Sequence, residues 1–259
     1  MEHHQDLRTW CGLSGPLSAL VVGARGGIGA AFVERLSYSE AIDHVFALSR
    51  DREWVSQASG HHKVERLYAD LTDEESVFAV SERVKASGGT LRFVINCSGL
   101  LHSSDLQPER SWRHLNIDTM RRVFDVNTFG VALLIKHVIP LLPRRQEAIF
   151  ASLSARVGSI TDNRIGGWYS YRASKAAQNM IVKTAAIEAA RSYPQLTLVA
   201  LHPGTVDTAL SEPFTRRLPD HHEVFSPQTS CQRLCEVMTD LTPDQTGQHL
   251  AWDGSPILG

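Results

Sequence analysis

The chain has 259 residues, 42 % of them apolar and 21 % charged, with a formal net charge of −2. That length allows one α/β domain with a large core, and the near-neutral charge gives no electrostatic basis for binding nucleic acid. No unbroken apolar run approaches the ~20 residues of a membrane span, no basic start with an apolar follow-on marks a signal peptide, and the 4 cysteines, with no His or Cys cluster at zinc spacing, fit a reducing, cytoplasmic compartment.

Residues 1–15 are polar and are expected to form a loose arm ahead of a single domain over 16–259. Leu17–Val22 is a short apolar run of the kind that makes a buried parallel strand. It leads into Gly23-Ala24-Arg25-Gly26-Gly27-Ile28-Gly29, behind which Ala30, Ala31, Phe32, Val33 and Leu36 keep a helical spacing. In that order of strand, loop and helix, an α/β protein sets a pyrophosphate against backbone N–H groups at a helix N-terminus. The spacing is Gly-x3-Gly-x-Gly rather than Gly-x-Gly-x-x-Gly, and a purely structural turn is the alternative. Its place after the first strand favours nucleotide binding.

Further strands are expected at His44–Leu48, Lys63–Tyr68, Leu91–Asn96, Ala148–Leu153, Thr197–Leu201 and His249–Trp252. Helices are expected at Gly27–Ser37, Asp51–Ala58, Asp73–Ala86, Ile117–Leu142, Tyr169–Arg191 and Ser226–Leu241. This alternation predicts a doubly wound α/β (Rossmann) fold, a seven-stranded parallel sheet with helices on both faces. Ligands then belong at the carboxyl ends of the strands. The polar, unpatterned stretch 211–225 reads equally well as a lid or as an ordinary surface loop.

An acid about 20 residues beyond the glycines binds the adenosine ribose in many dinucleotide folds. Here that count from Gly29 reaches Ser49, followed by Arg50, and Arg25 sits inside the glycine loop. Two cations and no acid suit a 2′-phosphate, so NADP(H) is favoured over NAD(H). Asp51 is the counter-candidate, since a small shift of the strand end would bring it close.

Tyr171-Arg172-Ala173-Ser174-Lys175 places a phenol and an ammonium four residues apart, on one face of an Ala-rich helix. A free phenol titrates near ~10 and a neighbouring cation lowers that value, which makes the pair a candidate proton donor. A surface Tyr and Lys is the plainer reading of the pair by itself.

Taken together with Asp70-Leu71-Thr72, Asn96-Cys97-Ser98-Gly99, Asp125-Val126-Asn127 and His202-Pro203-Gly204-Thr205-Val206-Asp207-Thr208, these motifs resemble the short-chain dehydrogenase/reductase family of the classical type, over about residues 17–255. The stretch from Ser159 to Arg172 and the tail Trp252-Asp253-Gly254-Ser255 are similar to its sniffer and C-factor-like carbonyl reductases. The resemblance implies an NADPH-dependent oxidoreductase that reduces an aldehyde or ketone, or runs in reverse. Tyr171 would be its acid or base, and Lys175 would bind the nicotinamide ribose and lower the Tyr171 pKa. Asn127 would hold a water linking Lys175 to solvent. It further implies that Asp70 meets the adenine amine and Leu71 lines its pocket. Gly23, Gly27, Ile28, Gly29, Asn96, Gly99, Pro203 and Gly204 would border the cofactor, and Val206 and Thr208 would meet the carboxamide.

One position departs from the pattern. The family's Ser-Ser-x-x-Gly, whose second serine is catalytic, reads Ser154-Ala155-Arg156-Val157-Gly158 here, so Ala155 takes the catalytic place and Ser154 is the nominated substitute. The missing serine leaves open a cofactor-binding sensor with weak or no turnover. A sugar-nucleotide epimerase shares the Tyr-x3-Lys pair but usually has another glycine spacing. The expected partners are a small carbonyl or alcohol and further copies of the chain, as a homodimer or homotetramer packed through the long helices, where Ala173, Ala176, Ala177 and Ala185 allow close approach. No nucleic acid, membrane or metal is expected.

Overall fold

In the computed structural model, which describes residues 9–215 and 223–259, apolar segments lie side by side as a seven-stranded sheet in the order β5-β4-β3-β6-β7-β8-β9. The strands are β3 (Leu17–Val22), β4 (Ile42–Ser49), β5 (Val64–Tyr68), β6 (Leu91–Asn96), β7 (Ala148–Leu153), β8 (Leu196–His202) and β9 (His249–Ala251). Every neighbouring pair is parallel. The order steps outward from β3 to β5 and then reverses to β6, and that switch opens a crevice at the strands' carboxyl ends.

A short antiparallel hairpin, β1 (Thr9–Trp10) and β2 (Leu13–Ser14), precedes the sheet. This corrects the loose arm for its second half: Trp10, Cys11 and Leu13 are buried, and the Trp10 ring meets Phe93 edge-on at 5.6 Å. Those apolar side chains are too few to show a period, yet they join the core cluster that contains Phe93. Residues 1–8 lie outside the described residues.

The helices are α1 (Gly27–Ser37), α2 (Arg52–Ser56), α3 (Glu74–Ala86), α4 (Ile117–Phe124), α5 (Gly130–Val138), α6 (Tyr169–Ala189), α7 (Glu212–Thr215) and α8 (Pro227–Thr239). α1 and α8 pack on one face with Phe32, Leu36, Leu234 and Met238. α3, α5 and α6 pack on the other with Val77, Val80, Leu134, Val138 and Val182. α2 starts one residue later than expected because Asp51 caps it, accepting the Trp54 N–H at 2.9 Å, and it ends two residues early at Ser56, where Gln57 turns to extended backbone.

The expected helix Ile117–Leu142 divides into α4, one π-turn over Asp125–Phe129, and α5. Ile117–Leu141 is long and apolar enough by length and composition to cross a membrane, with a mean hydropathy of 1.3. This corrects the expectation that no segment approaches a span: Asp118, Arg121, Arg122, Asp125 and Lys136 interrupt the helix and hide its apolar content. Its buried Val123, Val131, Leu134 and Val138 face the interior.

Candidate active site

One cleft of about 870 Å³ runs along the carboxyl ends of β3, β4, β6, β7 and β8. At its centre lies the glycine loop. Gly23 has φ +75°, a left-handed backbone, and a Cβ at Gly29 would stand 2.3 Å from the Gly23 carbonyl oxygen. Neither position admits a side chain without rebuilding the turn. The N-cap of α1 is Gly26, which offers no side-chain cap. The first-turn N–H groups of α1 are therefore open to a ligand, and with the helix dipole they favour an anion. This cradle fits the pyrophosphate of a dinucleotide.

At the adenosine end the cleft is bordered by Arg25, Ser49, Arg50, Asp51, Asp70 and Leu71. The strand β4 extends to Ser49, and Asp51 does enter the cleft, but its carboxylate is 3.0 Å from the Arg25 guanidinium. Arg50 is exposed beside them. Asp70 is held by its own turn: its Oδ1 accepts from the Thr72 N–H at 2.9 Å and from the Thr72 hydroxyl at 2.8 Å.

At the other end Tyr171 and Lys175 share the wall formed by the first two turns of α6. The Lys175 ammonium lies 5.9 Å from the Tyr171 ring centre. Its Nζ donates to the Leu153 carbonyl and to Gln178 Oε1, each at 2.9 Å. Gln178 Nε2 in turn donates to Ser152 Oγ at 3.1 Å and to the Leu153 carbonyl at 3.0 Å. Burial lowers the Lys175 pKa to about 7 and raises that of Tyr171 to about 12. In the protein alone, burial works against the lowering of the phenol's pKa expected from Lys175. Both groups are desolvated, both neutral forms gain, and the cation is anchored toward β7.

The asparagines work one step back from the cleft. Asn127 is buried in the π-turn, where Nδ2 donates to the Leu100 carbonyl (2.9 Å) and to Ser174 Oγ (3.1 Å), and Oδ1 accepts from the Leu100 N–H (2.7 Å). It borders the loop at Gly99 rather than the cleft itself: a Cβ on Gly99 would sit 3.8 Å from Asn127 Oδ1 and 3.9 Å from Lys175 Nζ. Asn96, fully buried, donates to Ser152 Oγ at 2.9 Å and accepts from the Ser98 N–H at 3.0 Å, so it shapes the loop and leaves the cleft wall to Cys97, Ser98 and Gly99.

After β8, Pro203 and Thr208 line the cleft as expected. Gly204 and Val206 do not. Gly204 adopts φ +81° under the Phe225 ring, and Val206 is buried and bridged to Phe225. Of the stretch 211–225, read equally as a lid or a surface loop, residues 216–222 lie outside the described residues, and α7 stands near its start.

Ser154 borders the cleft, but its hydroxyl donates to Asn179 Oδ1 at 2.7 Å. Asn179 Nδ2 pairs with His249 Nδ1 at 3.3 Å, and burial holds that imidazole near pKa 4, neutral and able to accept. Ser154, nominated as the substitute serine, thus lies at the cleft with its hydroxyl proton engaged by Asn179. Its proton points toward α6, the side on which Ser152 also meets Gln178. Ala155 follows in extended backbone and opens a turn at Arg156–Gly158.

Sequence reasoning missed two residues of this site. Gln178 lies one turn from Lys175, a spacing visible in the sequence. Glu109 comes from a distant loop and leaves no such signal. α6 begins at Trp168, whose φ of +52° and apolar side chain supply no cap. The buried Glu109 carboxylate takes that role, accepting from the Ser170 N–H at 3.1 Å and from the Ser170 hydroxyl. A left-handed non-glycine residue costs on the order of 1–2 kcal/mol, and the Glu109 carbonyl helps hold it by accepting the Trp168 N–H at 2.5 Å.

Among known proteins, the family model for short chain dehydrogenases matches residues 18–218. The chain is 33 % identical over 186 residues to 1-hydroxy-2-glutathionyl-2-methyl-3-butene dehydrogenase of Rhodococcus sp. (strain AD45), covering 72 % of this chain and 76 % of that one. It superposes on an NADPH-bound carbonyl reductase from chicken fatty liver with a TM-score of 0.81 and 26 % identity, over 95 % of this chain and 96 % of that one. The carbonyl reductase Sniffer of D. melanogaster gives a TM-score of 0.80 over 93 % of this chain and 99 % of that one, and at 24 % identity bears on the fold alone. With its glycine cradle, its Tyr171–Lys175 pair and a family match across most of its length, this chain belongs to the short-chain dehydrogenase/reductase family of oxidoreductases.

Proposed function

We propose that the protein is an NADPH-dependent reductase of a small aldehyde or ketone. The observation that carries this reading is the placement of Tyr171 and Lys175 at one end of a single cleft whose other end holds Arg25 and Arg50. The dinucleotide, when bound, supplies a hydride to the carbonyl carbon. Tyr171 gives its hydroxyl proton to the carbonyl oxygen, which completes the alcohol. Burial keeps the phenol protonated in the protein alone, and donation near neutrality requires its pKa to come down toward the working pH when the site is occupied.

Lys175, with a pKa brought to about 7, would exchange protons near neutrality and replace the one Tyr171 gives up. Arg50 and Arg25 would take a 2′-phosphate, with Arg25 leaving its pairing to Asp51. Gly23, Gly27, Ile28, Gly29, Ser49, Asp70, Leu71, Gly99, Pro203 and Thr208 would border the cofactor, while Asn96, Asn127, Gly204 and Val206 shape the loops that carry it. Along α6, Ala173, Met180, Thr184 and Ile187 form an exposed stripe at helical spacing, which supports association through this helix as a homodimer or homotetramer.

The second reading is a cofactor-binding sensor with little turnover. It rests on the absence of a serine at position 155 and on the commitment of the Ser154 proton to Asn179. NADPH oxidation by the purified protein with quinones, diketones and aromatic aldehydes, and NADH as the control, separates the two. Turnover that prefers NADPH supports the reductase. Tight NADPH binding without turnover on any carbonyl favours the sensor.

A further inference from the structure

Gly166, Gly167 and Trp168 have φ values of +70°, +67° and +52°, three successive left-handed residues immediately before α6. Glycine fits such positions without strain, and the chain uses it at the first two. The third carries the largest side chain in the repertoire. The turn is clamped on both sides. The Glu109 carbonyl accepts the Trp168 N–H, and Arg172 donates from Nε to the Gly167 carbonyl at 2.9 Å and from Nη2 to the Gly166 carbonyl at 3.1 Å.

The indole packs beside Tyr171, next to the cleft wall that Tyr171 forms and outside that wall itself. The Trp168 ring stands edge-to-face with Tyr171 at 6.3 Å and with Phe214 of α7 at 4.8 Å. Phe214 in turn meets His102 at 5.6 Å, and His102 Nε2 lies 3.0 Å from the carbonyl of Ala209, a residue of the cleft wall. Aromatic rings therefore continue from the phenol of Tyr171 to the segment after β8. Trp168 and Phe214 are both only half-buried, so part of each ring is left for a ligand.

We propose that Trp168 is a specificity-determining residue, and that the substrate is a carbonyl compound bearing a flat aryl group that lies against the Trp168 and Phe214 rings. This rests on the reductase reading above and goes beyond it by naming the substrate class. Rings that already meet edge-to-face accept a further ring in offset or T-shaped contact, which an alkyl group cannot reproduce.

The test compares 1-phenyl-1,2-propanedione with 2,3-butanedione, which differ in the aryl group beside the reacting carbonyls. The readout is the ratio of their kcat/KM values with NADPH. The wild-type ratio should favour the aryl dione by at least tenfold. In Trp168→Gly, which suits the left-handed backbone, the ratio should fall to within about threefold of unity through a rise in KM for the aryl dione, and Trp168→Phe should retain most of it. General damage lowers both substrates together and leaves the ratio in place. Phe214→Leu reads the same ratio from the facing wall if Trp168→Gly does not fold. A ratio unchanged in both Trp168→Gly and Phe214→Leu, or wild-type turnover of both diones without an aryl preference, overturns this inference and leaves the reductase reading intact. Absence of turnover on either dione, and on any other carbonyl, removes both.

Discussion

Replacing Glu109 tests whether a loop some sixty residues upstream sets the start of α6, the helix that carries Tyr171 and Lys175. Glu109 is buried at 3 % exposure and accepts both the N–H and the hydroxyl of Ser170. Glu109→Ala leaves two buried donors without partners. Each costs about 1–3 kcal/mol, and removal of a charge from the N-terminus of α6 adds up to ~2 kcal/mol. A loss of about 3 kcal/mol is expected once the site relaxes. At roughly 2–4 °C per kcal/mol for a chain of this size, Tm should fall by about 6–12 °C. Glu109→Gln keeps an acceptor for one donor and should lose about half as much. Tyr171 follows Ser170 directly, so kcat should fall with both variants in the same order. Thermal unfolding followed by circular dichroism is the assay, with NADPH turnover beside it. A Glu109→Ala protein that melts within 2 °C of wild type would refute the reasoning.

Lys175 should give a pH signature. Its folded-state pKa, about 7, lies below the ordinary 10.5, so between those values the unfolded chain binds more protons and stability rises with pH. From pH 7 to 9, wild type should gain about 2 kcal/mol relative to Lys175→Met in urea unfolding, and parallel profiles would contradict a desolvated ammonium. Arg50→Ala should raise KM for NADPH about tenfold, the ~1.4 kcal/mol of a lost charge-assisted contact, and change KM for NADH less than twofold; equal effects on both would place Arg50 away from a 2′-phosphate. Ser154→Ala should cost less than tenfold in kcat/KM because its proton serves Asn179. A loss of the ~10²–10³ seen for oxyanion-type donors would restore Ser154 as the group that polarises the carbonyl.

Elements governed by local pattern were legible in the sequence. The seven strands and the glycine turn follow from apolar runs and from residues that must adopt special backbone angles. The lysine, the tyrosine and most of the cleft wall follow from motif order. What escaped was fixed by contacts distant in sequence. The hairpin Thr9–Ser14 has no period of its own and is stabilised by Trp10 against Phe93. The π-turn at Asn127 has no residue signature and is held by Leu100 and Ser174. The direction of the Ser154 hydroxyl depends on Asn179, and the cap of α6 on Glu109. Ionisation was misread for the same reason. Spacing put a cation beside a phenol, while the fold buried both and drew the cation toward Leu153 and Gln178.

The most direct test of the account is turnover by Tyr171→Phe beside wild type, with NADPH binding measured on both by fluorescence titration. The account predicts that NADPH binds the two proteins within a few-fold of each other while carbonyl reduction by Tyr171→Phe falls at least a hundredfold. Undiminished turnover in Tyr171→Phe would contradict the assignment of the proton to this phenol.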